Sequence, residues 1–181
     1  MKRFATGSAF TLKGRQFQGL SGWEGKPFHP PLTDIPVGAY VIAPVLDIVA
    51  FAGREQTWGP NLHAAAGYAL LAGAGFSLLT VLTGFADWLR MRAGSEVRRI
   101  TNTHAITMVV VTVLVVSNLL VRFNDTSDVT TGGVLALSIA TGVLVTVGAM
   151  IGGSLVYDKG YKVRARMTPP EERGQEQRRA S

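Results

Sequence analysis

Gly84-Phe85-Ala86-Asp87-Trp88-Leu89-Arg90, a basic turn holding Arg92, Arg98 and Arg99, and then Thr103-His104 make up the stretch whose reading decides the fold. An apolar run closes on a carboxylate and a tryptophan. The chain turns through arginines, and the next apolar run opens with a histidine. Arginine and lysine are costly inside lipid and gather on the cytoplasmic side of membrane segments, while tryptophan favours the interface. The pattern predicts two transmembrane helices joined on one side of a bilayer, with Asp87 and His104 at nearly the same depth.

Outward from that turn the same arrangement repeats. Of the 181 residues, 47% are hydrophobic, a share that suits a soluble protein almost as well as a membrane protein, so their distribution has to decide. They fall into runs of about 20 residues, the length a helix rising 1.5 Å per residue needs to cross a hydrocarbon core. The spacing predicts four helices, over residues 35–53, 62–88, 103–121 and 134–157. The fold class is therefore all-α, a polytopic transmembrane four-helix bundle. Asp34 before Ile35 and Pro36 reads as the start of the first helix, because the prolines around His29 and Leu32 disfavour a regular helix there. Pro44 is expected to interrupt the ladder of that helix one turn back.

Lys2, Arg3, Lys13, Arg15 and Lys26 precede the first run, the middle turn carries its arginines, and Lys159, Lys162, Arg164 and Arg166 follow the fourth. The two opposite turns hold only Arg54 and Arg122. All three basic segments then lie on one side, which places both termini in the cytoplasm and the chain in the inner (plasma) membrane, multi-pass. Three parts result. Residues 1–27 form a basic, loosely ordered cytoplasmic arm whose aromatics sit at the lipid headgroups or simply in a disordered tail. Residues 28–163 form the membrane domain, and residues 164–181 a disordered cytoplasmic tail.

Several chemistries are excluded. The chain has no cysteine, so disulfides and thiolate ligation of zinc or iron–sulfur clusters are impossible. No secretory signal is expected, since residues 1–23 lack a continuous apolar core. The net charge of +6 does not point to nucleic acid, because the arginines are spread over loops and tail. The glycine-rich runs lie within membrane spans and lack the Lys-Ser/Thr ending of a phosphate loop, and His-Glu-x-x-His is absent.

In the predicted topology His29, Asp87, His104 and Tyr157 converge near the cytoplasmic face. Two imidazoles from separate segments suit axial ligation of a haem iron, or a divalent metal shared with Asp87; alternatively Asp87 orients one ring. The structural alternative is that these polar groups only cap helix ends, with Asp87 paired to Arg90 or Arg99. At the opposite end, Asp47 lies deep in the first run, where a carboxylate costs about 2.5–3.5 kcal/mol on insertion scales and should face the bundle. His63 is a candidate partner for it, and Asn118 and Arg122 lie within reach. Stripes of small residues, Ala65-Ala69-Gly73 on the second helix and Gly148-x-x-x-Gly152 on the fourth, let helices approach closely.

His29-Pro30-Pro31-Leu32, Ile35-Pro36-Val37-Gly38, Leu46-Asp47, Gly84 with Asp87-Trp88, His104-Ala105 and Gly153-Ser154-Leu155-Val156-Tyr157 with Gly160 together resemble the family named domain of unknown function 2231. The resemblance covers about residues 28–163. The family pattern has a Phe-Pro-Ile-type segment after the His-Pro, whereas here Asp34 and Ile35 precede Pro36. The resemblance implies four membrane helices. Some similar proteins are joined to Rieske-type iron–sulfur domains, and the fold is similar to small b-type cytochromes, which together imply electron transfer.

Three function classes follow. The first is a non-enzymatic redox or cofactor-binding membrane subunit, with His29, His104 and Asp87 around haem b or a metal and a redox or iron–sulfur protein as partner. The second is a structural or assembly protein packing its small-residue stripes against partner helices. The third is a small transporter or proton channel working through Asp47, which four helices would serve only as a homo-oligomer.

Overall fold

The computed structural model describes residues 11–12 and 15–163. Four helices dominate it: α1 (His29–Ala52), α2 (Gly59–Leu89), α3 (Glu96–Asn124) and α4 (Gly132–Tyr157). Each is long and apolar enough to cross a membrane. Consecutive helices pair as two hairpins, α1 with α2 and α3 with α4. The hairpins meet mainly along α1 and α4, and the α2–α3 seam is thinner. α1 and α3 thus occupy one diagonal of the bundle, and α2 and α4 the other.

Outward-facing side chains such as Leu78, Val81, Ile106, Val113 and Met150 are mostly exposed, which in water would be prohibitive and in lipid is required. The mid-depth interior is a small apolar core of Tyr40, Ala43, Leu70, Val111, Val115 and Val145. It separates two polar layers at opposite ends. Close helix contact here depends on absent side chains. A Cβ at Gly73 would lie 2.6 Å from the Tyr40 ring, and one at Gly142 would lie 2.8 Å from Cγ of Pro44.

Two helix starts differ from the sequence expectation. α1 begins at His29 rather than near Ile35, so the prolines around it do not exclude a helix. Pro30 and Pro31 fall in the first turn, where the backbone N–H groups have no intrahelical acceptor and their loss costs little. Asp34 is consequently inside the helix, and no side chain caps α1. α3 begins at Glu96, seven residues before Thr103, because the Ser95 hydroxyl accepts the Arg98 N–H at 3.2 Å. Glu96 adds a negative charge in the first turn, where the helix dipole favours it.

The α2–α3 turn is closed by Arg98. Its guanidinium lies 3.5 Å from the centre of the Trp88 ring and donates to the carbonyls of Trp88 (2.7 Å) and Met91 (3.0 Å). Both carbonyls lie at the C-terminal end of α2, where acceptors lack a full set of intrahelical donors; that of Trp88 also accepts the Met91 N–H at 3.1 Å. The described part of the N-terminal arm holds an aromatic cluster. Phe17, Trp23 and Phe28 pack on one another with ring centres 5.1–6.4 Å apart, and the backbone between them turns on itself through Gln18 N–H to Gly22 O at 2.7 Å. Residues 1–10 and the expected tail at 164–181 lie outside the described residues.

Candidate functional site

The two histidines come from diagonally opposed helices and meet at one end of the bundle, with ring centres 6.3 Å apart and planes at 83°. His29 sits at the first position of α1. Its Nδ1 donates to the Thr80 carbonyl of α2 at 2.8 Å. His104 lies two turns into α3, and its Nδ1 donates to the Gly148 carbonyl of α4 at 2.9 Å. A carbonyl only accepts, so both neutral rings carry their proton on Nδ1 and leave the Nε2 lone pair free. A carbonyl on the far side of a ligating imidazole fixes its orientation and makes the other nitrogen a stronger donor.

Room for the rings is made by glycine. A Cβ at Gly84 would lie 2.7 Å from Cε1 of His29, and one at Gly152 would lie 3.0 Å from Cε1 of His104. The two halves of the site match: each hairpin supplies one histidine on its first helix, and one carbonyl four residues before one glycine on its second. Thr80 and Gly84 serve His29, and Gly148 and Gly152 serve His104. Gly148 is also pressed inward, where a Cβ would meet Sδ of Met108 at 2.7 Å. The G-x-x-x-G pair of α4 is therefore used inside the bundle, against α3.

Asp87 does not orient either ring. Its carboxylate accepts from Nζ of Lys162 at 2.6 Å, and that ammonium also donates to the Ser21 carbonyl at 3.1 Å. The Tyr161 hydroxyl donates to the Asp87 carbonyl at 3.3 Å. Neither Arg90 nor Arg99 is the partner: Arg90 donates to the Gln18 carbonyl at 3.2 Å. Among the described residues no set of three or more His, Asp or Glu side chains is placed to hold a metal ion, so a metal shared by His29, His104 and Asp87 lacks its third ligand. Burial, and then the Asp87 charge, hold the Tyr161 hydroxyl above its ordinary value.

The pair of imidazoles fits a haem better than a three-ligand metal. Two imidazole nitrogens bound about 2 Å from one ion on opposite sides hold their ring centres about 6 Å apart. The ring separation and the donor set of two nitrogens with fixed tautomers agree with that requirement.

Asp47 and His63 belong to a second cluster at the opposite end. They do not bond to each other directly. Asp47 forms a short ion pair with Arg122 and accepts the Thr130 hydroxyl at 3.3 Å. Arg122 further donates to the His63 carbonyl (2.8 Å), to Nδ1 of His63 (3.1 Å) and to Oδ1 of Asn118 (2.7 Å). Asn118 donates to the Val134 carbonyl at 3.2 Å, and Nδ1 of His63 lies 3.0 Å from the Thr130 hydroxyl. Asp47 and Asn118 are fully buried, and Arg122 is 8% exposed. The cluster ties all four helices, and its charges are matched one to one. Such closure suits a clasp better than a conduit, because a carried ion or proton needs an open neighbour.

Asn118 and Arg122, one turn apart on α3, were visible in the sequence as candidate partners of Asp47. Thr130 and Lys162 were not, since both come from segments between or beyond helices whose paths no periodicity fixes.

No curated protein and no solved structure matches the chain. One family model matches residues 25–165, a span that contains every residue of both clusters. Four apolar helices with paired hairpins, two polar layers and this match lead to one assignment: the chain belongs to the family of predicted membrane proteins, domain of unknown function 2231 (DUF2231).

Proposed function

We propose that this protein is a non-enzymatic electron-transfer subunit of the plasma membrane that binds haem b through His29 and His104, with both termini in the cytoplasm. The observation that carries the reading is the ring pair: two imidazoles 6.3 Å apart, each with Nδ1 committed to a backbone carbonyl of the neighbouring helix. A haem held by His29 and His104 would supply one-electron chemistry. The chain's own part is to hold both Nε2 atoms in place, to raise their donor strength through the Thr80 and Gly148 carbonyls, and to keep the site among apolar helices. The orientation rests on Arg90, Arg92, Arg98, Arg99, Lys159 and Lys162, which share the end of the bundle that holds the rings.

The test is the visible spectrum of detergent-purified protein from haem-replete cells. A Soret band with a low-spin reduced α-band is expected, and His29→Ala and His104→Ala should each remove the low-spin signature. A wild-type protein with no Soret band, before or after hemin is added, refutes the proposal. Tags at the two ends test the orientation, which fails if either is reached from outside intact cells.

A further inference from the structure

A cleft of about 340 Å³ opens between the prolines that flank His29 in the chain, the last turn of α4 and the segment that follows it. Pro27, Pro30, Pro31, Val156 and Tyr161 give it apolar walls, and Lys162 contributes the one charged side chain among its lining residues. Lys162 is held there deliberately by the backbone. Its φ of +57° is a conformation that side-chain-bearing residues seldom adopt, and neighbouring bonds impose it. Tyr161 N–H donates to the Leu155 carbonyl at 2.8 Å, and Val163 N–H to the Gly160 carbonyl at 3.0 Å. The ammonium, whose side chain is 12% exposed, uses two of its three N–H groups, on Asp87 and on the Ser21 carbonyl. Among the described residues the third has no acceptor.

A simple neutralising role for Lys162 accounts for the Asp87 contact but not for the cleft at its side. A b-type haem has an apolar ring and two propionate carboxylates on one edge. With the iron held by the ring pair, that acidic edge would need a cation at headgroup level. Resting on the haem reading above, we propose that Lys162 is the anchor for a carboxylate of the bound porphyrin, with the cleft lined by Pro27, Pro30 and Pro31 as its seat. The ammonium keeps its hold on Asp87 and adds the third donor to the propionate, so that the strap following α4 becomes part of the binding site.

The experiment compares hemin with hemin dimethyl ester, which has the same iron and ring but no free carboxylate, on full-length protein in detergent. Dissociation constants are read from the Soret titration for wild type, Lys162→Met and Lys162→Arg, with circular dichroism and gel filtration to show that each variant is folded. One charge-assisted hydrogen bond predicts that wild type prefers hemin by about tenfold or more. Lys162→Arg should keep that preference and Lys162→Met should lose it. A folded Lys162→Met with an unchanged preference overturns the anchor while leaving the ring pair intact. If Lys162→Met does not fold, loss of the preference in Lys162→Arg overturns it equally. Wild type that binds neither compound overturns both this inference and the haem reading.

Discussion

Replacing Asp47 with leucine tests whether the outer cluster is a clasp. The carboxylate is fully buried and forms an ion pair with Arg122, whose side chain is itself only 5% exposed. Removing one member of a buried pair costs about 3–5 kcal/mol, because the other is left charged and unmatched. Arg122 would keep its bonds to the His63 carbonyl, Nδ1 of His63 and Asn118, which soften the loss. The expected cost therefore falls at the lower end, about 3 kcal/mol, or roughly 150-fold in the folding equilibrium. The double variant Asp47→Leu/Arg122→Met removes both charges and should return to within about 1 kcal/mol of wild type. Reversible unfolding in mixed micelles, followed by circular dichroism, gives both values. The eighteen residues of α1 between His29 and Asp47 place the clusters about 27 Å apart, so the haem spectrum should be unchanged in the double variant. An Asp47→Leu protein as stable as wild type, or a double variant that loses the sum of the two single losses, refutes the clasp.

Other outcomes follow from local geometry. Gly84→Ala and Gly152→Ala place a Cβ against the two imidazoles and should cost about 1–3 kcal/mol and weaken hemin binding, whereas Gly75→Ala enters open space and should be neutral or stabilising by up to about 1 kcal/mol. Thermal unfolding and Soret titration of the three variants check the contrast. Ser95→Ala removes the N-cap of α3 and should cost about 1 kcal/mol by the same unfolding assay. Tyr161 is neutral and partly buried in the fold, with its hydroxyl held above 10.0, so its contribution is intact below that pH and drains away as pH rises through the folded value. Tyr161→Phe should flatten the fall in stability above pH 10, and a profile identical to wild type would show that the hydroxyl does not contribute.

The sequence carried the architecture because lipid leaves few alternatives. Four apolar runs must be helices, and an even number of spans returns the chain to the side it left. His29 and His104 then share an end, while Asp47 and Arg122 share the other. What periodicity could not supply was anything set by a non-repeating segment. The start of α1 was hidden by Pro30 and Pro31, whose effect depends on whether they fall inside a helix or in its first turn. Lys162 was hidden in an alternation of charge that begins at Lys159 and looks like a tail, although its ammonium reaches back to Asp87. The start of α3 was legible in principle, since Ser95-Glu96 is a cap followed by an acid, but the arginines after it drew the boundary too far along the chain.

The doubled pattern of histidine, carbonyl and glycine has a consequence for how the molecule is put together. Neither helical hairpin holds a complete site, since each contributes one imidazole already tethered within itself. A group bound by both rings would lie between the halves and would link α1 to α3, which face each other across the bundle. Affinity for such a group would then reappear as cohesion between the hairpins, added to that of the α1–α4 contact and the Asp47–Arg122 cluster.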